Sequence, residues 1–224
     1  MNPAGYDNTH MDRSGTTTAG AQLLGVYGLR CVRNDTVLFS GLDFGVGEGE
    51  LLQIEGANGS GKTSLLKTLC GFIEPDDGEV HWRGENIKSI RNDYQGELAY
   101  VGHTNGIKSG LTCHENLKVA SALAGSTRTT DAGTVLDRYG LAAYEDTLVQ
   151  LLSSGQRRRL ALARLSLCHA RIWILDEPFT SLDEQGRKFM NGLFQEHLQA
   201  GGIIVMTSHD ELRLVGISAA RIGL

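Results

Sequence analysis

From residue 21 onward, apolar and polar positions follow two different periods. Residues 21–32, 36–46 and 49–56 form short alternating or apolar runs separated by glycine and charged residues, which predicts three strands. Residues 78–84 and 97–102 read the same way. Leu65, Leu66 and Leu69, directly after Gly61, have helical spacing. After residue 113 the period changes, and 115–125, 129–141 and 153–167 read as helices. Residues 171–178 then predict a buried strand, 183–200 an amphipathic helix and 202–210 a second buried strand. This order, β-rich at both ends and helical in the middle, predicts an α/β domain over 21–224 with an inserted helical lobe at about 104–165. Residues 1–20 carry few apolar side chains and no periodicity, and read as a disordered leader or an overcalled start.

Composition narrows the classes. A length of 224 residues suits one domain. A net charge of −5 argues against non-specific nucleic-acid binding. No apolar run approaches the roughly 18 residues of a membrane-spanning helix, and the N-terminal stretch lacks the basic start and apolar centre of a signal peptide. The chain is therefore expected in the cytosol or on a membrane from outside. Cys31, Cys70, Cys113 and Cys168 are too widely spaced for a disulfide framework and read as reduced thiols. Glycine is in excess, 29 residues against three prolines, and seven of them fall between Gly41 and Gly61. Such a window points to backbone shaped for close approach.

That window contains Gly56, Ala57, Asn58, Gly59, Ser60, Gly61, Lys62 and Thr63, which fit G-x-x-x-x-G-K-[ST] between a strand and a helix. This is the setting of a phosphate-binding loop, in which backbone N–H groups and a helix N-terminus wrap phosphate. Lys62 is expected on the β- and γ-phosphates and Thr63 on Mg²⁺, with Asn58, Ser60 and Ser64 in the same nucleotide-binding set. A second acidic element follows 114 residues later, where the apolar run 172–175 ends in Asp176 and Glu177. A buried parallel strand would place Asp176 beside the phosphates as a second Mg²⁺ ligand and Glu177 where it polarises the attacking water.

Leu152, Ser153, Ser154, Gly155 and Gln156, just upstream of the acidic strand, resemble the LSGGQ signature of the ATP-binding-cassette (ABC) ATPases, with Ser154 where glycine is commonest. The resemblance runs from Leu23 to Leu224. It implies a P-loop α/β core with an antiparallel β-subdomain and a helical subdomain, ATP and Mg²⁺ as ligands, and ATP hydrolysis. It also implies a homodimer in which Ser153, Gly155 and Gln156 reach ATP held by the opposite copy. Asp183 then falls in the loop that crosses that dimer, and His209 is the switch histidine at the γ-phosphate. For Arg158 and Arg159, the expectation is a solvated basic helix face.

Two positions depart from the family pattern. Arg33 stands near where an aromatic residue stacks on adenine, and its guanidinium can stack on the base instead. His103 replaces the glutamine that follows the strand at 98–102 and touches Mg²⁺ and water. Imidazole donates or accepts and titrates near neutral pH. The run from Tyr100 to Leu117 resembles the ATP-binding subunit of the cytochrome c maturation haem exporter. That resemblance implies a peripheral subunit on the cytoplasmic face of the bacterial inner membrane. It implies integral-membrane permease partners, with ATP hydrolysis driving haem export or release of a haem-loaded chaperone. The rival readings are an ABC transporter subunit with another cargo and a soluble, non-transport ABC ATPase. A GTPase lacks its N-K-x-D motif here. His81, His114 and the cysteines are lone residues, so none is assigned to haem.

Overall fold

The computed structural model describes residues 22–124, 131–208 and 217–224. The chain opens with two long strands, β1 (Gln22–Arg33) and β2 (Thr36–Gly47), then β3 (Leu51–Glu55), α1 (Lys62–Leu69), β4 (Asp77–Trp82) and β5 (Glu85–Asn86). A short α2 (Arg91–Gly96) leads into β6 (Leu98–Val101). Three helices follow, α3 (Cys113–Leu123), α4 (Ala132–Arg138) and α5 (Ser154–Ala163). The described chain ends with β7 (Ile172–Asp176), α6 (Glu184–Gln199), β8 (Ile203–Thr207) and β9 (Ala219–Gly223). The predicted strands and helices are present. β5, α2 and β9 have no counterpart in the sequence reading.

The strands divide by direction. β2, β1, β4 and β5 form an antiparallel sheet in that order; β6, β7, β8, β3 and β9 form a second sheet whose pairings are parallel. A parallel sheet needs cover on both faces, which explains why its central strands are apolar without a polar side. Along β7, Ile172 and Ile174 enter the core shared with α1 and the antiparallel sheet, whereas Trp173 and Leu175 enter the core built with α3, α4, α5 and α6. β8 repeats the division, with Ile203 and Val205 on one side and Ile204 and Met206 on the other. The order β7-β8-β3 brings two distant segments to one edge. β3 ends at the glycine loop, β7 ends at Asp176, and β8 lies between them with Thr207 in register with both Ile54 and Asp176.

The four cysteines are free, three of them buried. No helix among the described residues is long and apolar enough to cross a membrane.

His197 of α6 stacks on Trp173 with ring centroids 3.9 Å apart, and its Nε2 lies 3.3 Å from the Ile203 carbonyl. Burial pulls its pKa down to about 4, with the Arg171 charge acting in the same direction. The unfolded chain takes up this proton near pH 6.5, but the folded chain only near 4, so stability is lost as pH falls through that window. Urea midpoints at pH 7 and pH 5 should differ by the equivalent of about 1–2 kcal/mol from this residue. The difference should shrink in His197→Phe; an equal difference in the variant would assign it elsewhere.

Candidate functional site

The loop between β3 and α1 is a cradle of backbone. Gly56, Gly59 and Gly61 have φ values of 150°, 85° and 102°, in the region that penalises a side chain. At Gly56 a Cβ would also lie 2.6 Å from Ser60 Oγ and 2.9 Å from the Leu224 carbonyl. α1 begins at Lys62, so its first N–H groups and its dipole point into the loop. The Lys62 ammonium, 8% exposed, is held inside the loop by the carbonyls of Gly56 at 2.5 Å and Ala57 at 2.9 Å. Asn58, Gly59, Lys62, Thr63 and Ser64 line a cavity of about 240 Å³ together with Asp176 and Glu177. That volume accommodates a phosphate tail rather than a whole nucleotide.

Hydroxyl groups join this cradle to the acidic strand. Thr63 Oγ1 donates to Asp176 Oδ2 at 2.9 Å, and Thr207 Oγ1 donates to Asp176 Oδ1 at 2.6 Å. Thr207 Oγ1 in turn accepts from the Glu177 N–H at 3.0 Å. Asp176 is 3% exposed, so these bonds offset much of the cost of burying it. Glu177 has φ 49°, uncommon for a residue with a side chain, and its Oε2 accepts from Thr180 Oγ1 at 3.2 Å. Backbone held in that region at a reactive position is stored strain that the surroundings must sustain.

Mg²⁺ suits this donor set. Thr63 and Asp176 supply a hydroxyl and a carboxylate side by side, both hard oxygen donors. Among the described residues, no group of three or more His, Cys, Asp or Glu side chains converges on a metal. The ion would take its remaining ligands from phosphate and water, which is the habit of Mg²⁺ at nucleotide sites.

Asp176 and Glu177 also line a second cavity of about 230 Å³, with His103, Asn105, Ser154 and Arg158. His103 is exposed there and shares this cavity with Glu177. Ser153 caps α5, accepting from the Gln156 N–H at 3.2 Å, while Gln156 Oε1 accepts from the Ser153 N–H at 2.8 Å. This reciprocal box fixes the start of the signature helix within its own chain. Gly155 permits close approach, since a Cβ would lie 2.9 Å from the Ser181 carbonyl. Asp183 caps α6 through the Gly186 N–H at 2.8 Å and pairs with Arg159 at 3.3 Å. Arg33 does not line the phosphate cavity. Its guanidinium donates to the Val32 carbonyl at 2.7 Å and lies 3.7 Å from Asp76. His209 lies outside the described residues.

One expectation is overturned. Arg158 is not on a solvated face; it is 4% exposed, and its guanidinium is bonded to the loop after β6 and the end of β7. Arg159 is half-buried and tied to Asp183. The sequence reading also missed Thr207 and Thr180. Helical spacing does not single out Arg158, because Leu160 to Ala163 are all buried and each of the three arginines lies three and four residues before two of them.

Comparison with known proteins agrees with this geometry. Residues 39–180 match the family described as ABC transporter. The cytochrome c biogenesis ATP-binding export protein CcmA of Nitrosospira multiformis is 46% identical over 197 residues, covering 88% of this chain and 96% of that protein. The protein of the same name from Nitrosococcus oceani is 47% identical, covering 85% and 88%. Among solved structures, a putative ABC transporter ATP-binding protein from Pyrococcus furiosus superposes with a TM-score of 0.76 at 24% identity, covering 90% of this chain and 96% of that one. Glycine cradle, buried acidic strand, signature helix and relatives all agree, and the chain belongs to the ABC transporter ATP-binding subunits, within the family of cytochrome c biogenesis ATP-binding export proteins.

Proposed function

We propose that this chain is the Mg²⁺-dependent ATPase subunit of an ABC export complex serving cytochrome c biogenesis, working on the cytoplasmic face of a bacterial inner membrane. The hydrogen-bonded line Thr63–Asp176–Thr207–Glu177 carries the catalytic part, because it locks a phosphate cradle to a carboxylate positioned beside it. The relatives' shared name, export protein of cytochrome c biogenesis, supports the cargo system.

The P-loop N–H groups and Lys62 hold the β- and γ-phosphates, with Asn58, Ser60 and Ser64 around them. Thr63 and Asp176 hold Mg²⁺, which when bound would neutralise charge on the phosphate oxygens. Glu177 accepts a hydrogen bond from the attacking water and aligns it with the γ-phosphate; His103, in the neighbouring cavity, and His209 complete the site. Most of the acceleration then comes from positioning and charge stabilisation. Two copies close head-to-tail, each offering Ser153, Gly155, Gln156 and Asp183 to ATP held by the other. Arg33 contributes stacking to the base, and the surface around His103 to Asn116, leading into the helical lobe at about 104–165, faces integral-membrane permease subunits. Hydrolysis powers haem export or release of a haem chaperone, and this subunit has no nucleic-acid partner.

Purification of the tagged chain from native membranes tests the assembly. Recovery with a haem-handling permease is the expected result. Recovery with a solute-binding transporter, or with no membrane protein, overturns the cargo assignment.

A further inference from the structure

Among the described residues, the most densely bonded side chain near the site belongs to a residue to which the mechanism above gives no role. Arg158 projects from α5 into the space between the loop after β6 and the end of β7. Its Nε donates to the Pro178 carbonyl at 3.3 Å. Nη1 donates to the Gly102 carbonyl at 3.0 Å and to Asn105 Oδ1 at 3.2 Å. Nη2 donates to the carbonyls of Asp176 and Glu177, each at 2.8 Å. A guanidinium has five N–H donors in a fixed planar fork, and five acceptors surround this one.

The acceptors belong to two functional segments and the donor to a third. Asp176, Glu177 and Pro178 form the segment that bears the carboxylates proposed to hold metal and polarise water. Gly102 and Asn105 flank His103, on the loop proposed to face the membrane partner. Arg158 itself lies on the helix that Ser153 caps, so its Cα moves with the signature motif. The Glu177 carbonyl that it holds belongs to a residue at φ 49°. That conformation is fixed on the opposite side by the Glu177 N–H bond to Thr207. Movement of the β6 loop or of α5 must therefore either break bonds to the guanidinium or shift the backbone of Glu177.

We propose that Arg158 is a positioning residue for ATP hydrolysis: a buried clamp that holds the Glu177 backbone in its reactive conformation and couples it to the His103 loop and the signature helix. The proposal rests on the ATPase reading of the site. The N–H donors of Arg158 are committed to protein acceptors, so it acts through the backbone of Glu177 and through the loop bearing His103. Lysine cannot reproduce it, because one ammonium with three donors cannot satisfy five acceptors.

The test is steady-state ATP hydrolysis by the full chain in its membrane complex, expressed as turnover per bound nucleotide and set beside ATP affinity. Arg158→Lys should lose about tenfold or more in turnover per bound nucleotide while its Kd for ATP stays within about twofold, the pattern of misplaced chemistry rather than lost binding. Asn105→Ala, at the more accessible end of the network, should lose about threefold in the same readout, and serves if the lysine variant does not fold. Adding His103→Ala to Arg158→Lys should cost much less than the product of the two single losses, because both act through one network. Wild-type turnover in either single variant, or multiplicative losses in the double variant, overturns the clamp. So does a loss confined to the fraction of chain that binds nucleotide, since that marks a purely structural residue. A wild-type complex that binds but never hydrolyses ATP would sink the ATPase reading and the clamp together, whereas an active wild type with an unimpaired lysine variant sinks the clamp alone.

Discussion

Glu177→Gln should lower the turnover of ATP by about 10²–10⁴-fold, the usual worth of a positioned base, with ATP binding changed by no more than about threefold. The exchange is nearly isosteric. The Glu177 N–H bond to Thr207 and the carbonyl bond from Arg158 belong to the backbone and survive it. An amide oxygen can still accept from Thr180, the partner of Glu177 Oε2 in the native chain. The variant loses the negative charge and the acceptor strength that would align and polarise water beside the γ-phosphate. Because binding persists when chemistry stops, the variant should accumulate with ATP bound, and a head-to-tail dimer should survive size-exclusion chromatography in ATP and Mg²⁺. Hydrolysis at the wild-type rate would remove Glu177 from the reaction. Slow hydrolysis with a monomeric elution profile would leave Glu177 in place and remove the closed dimer.

The parts of this molecule readable from sequence are those where one short segment dictates its own structure. The glycine loop is one, because three backbone conformations that penalise a side chain sit beside an apolar strand and a helix start. β7 and β8 are others, since burial on both faces leaves an uninterrupted apolar run. β9 carries no such mark. Its sequence is Ala-Ala-Arg-Ile-Gly, none of it fully buried, and it is a strand because its backbone pairs with β3 along the sheet edge. α2 spans six residues with only Tyr94 buried, too short to show a period.

The candidate site divides the same way. Lys62, Thr63, Asp176 and Glu177 announce themselves by motif, but the contacts joining them depend on strand order. Thr207 is 31 residues from Asp176 in sequence and reaches it only because β8 pairs in register with β7. Arg158 was hidden for another reason. Within Arg157, Arg158 and Arg159 the composition suggests solvent, and only the tertiary position of the helix buries the middle residue. Signature residues that the resemblance directs toward a second copy also have work inside their own chain. Ser153 and Gln156 cap α5, Asp183 caps α6, and Gly155 passes close to Ser181. The helix starts are thereby fixed before any second copy arrives, which limits the ordering cost of closing a dimer.

Asp176→Asn should separate metal binding from nucleotide binding. The carboxylate accepts one hydroxyl on each oxygen, Thr207 on Oδ1 and Thr63 on Oδ2. Asparagine keeps the shape but replaces one acceptor with an NH₂ donor, so one hydroxyl must turn to accept from it. Hydroxyl rotors do this readily, and the fold should persist. What does not persist is the anionic oxygen beside Thr63 that would hold Mg²⁺ against the phosphates. Turnover of MgATP should fall about a hundredfold or more, in the range reported for losing one preorganised charge-stabilising group. Mg²⁺ titration of the residual activity is the decisive readout, because half-saturation should shift upward by about tenfold or more. Affinity for ADP measured with excess chelator should stay near the wild-type value, since the P-loop N–H groups and Lys62 are untouched. An unchanged Mg²⁺ titration would show that Asp176 does not carry the ion and serves only to link Thr63 to Thr207. A parallel loss of ADP affinity in chelator would mean that the substitution deforms the glycine cradle. Only the combination of a shifted metal requirement with intact metal-free binding assigns to Asp176 the charge that holds Mg²⁺ beside the phosphates.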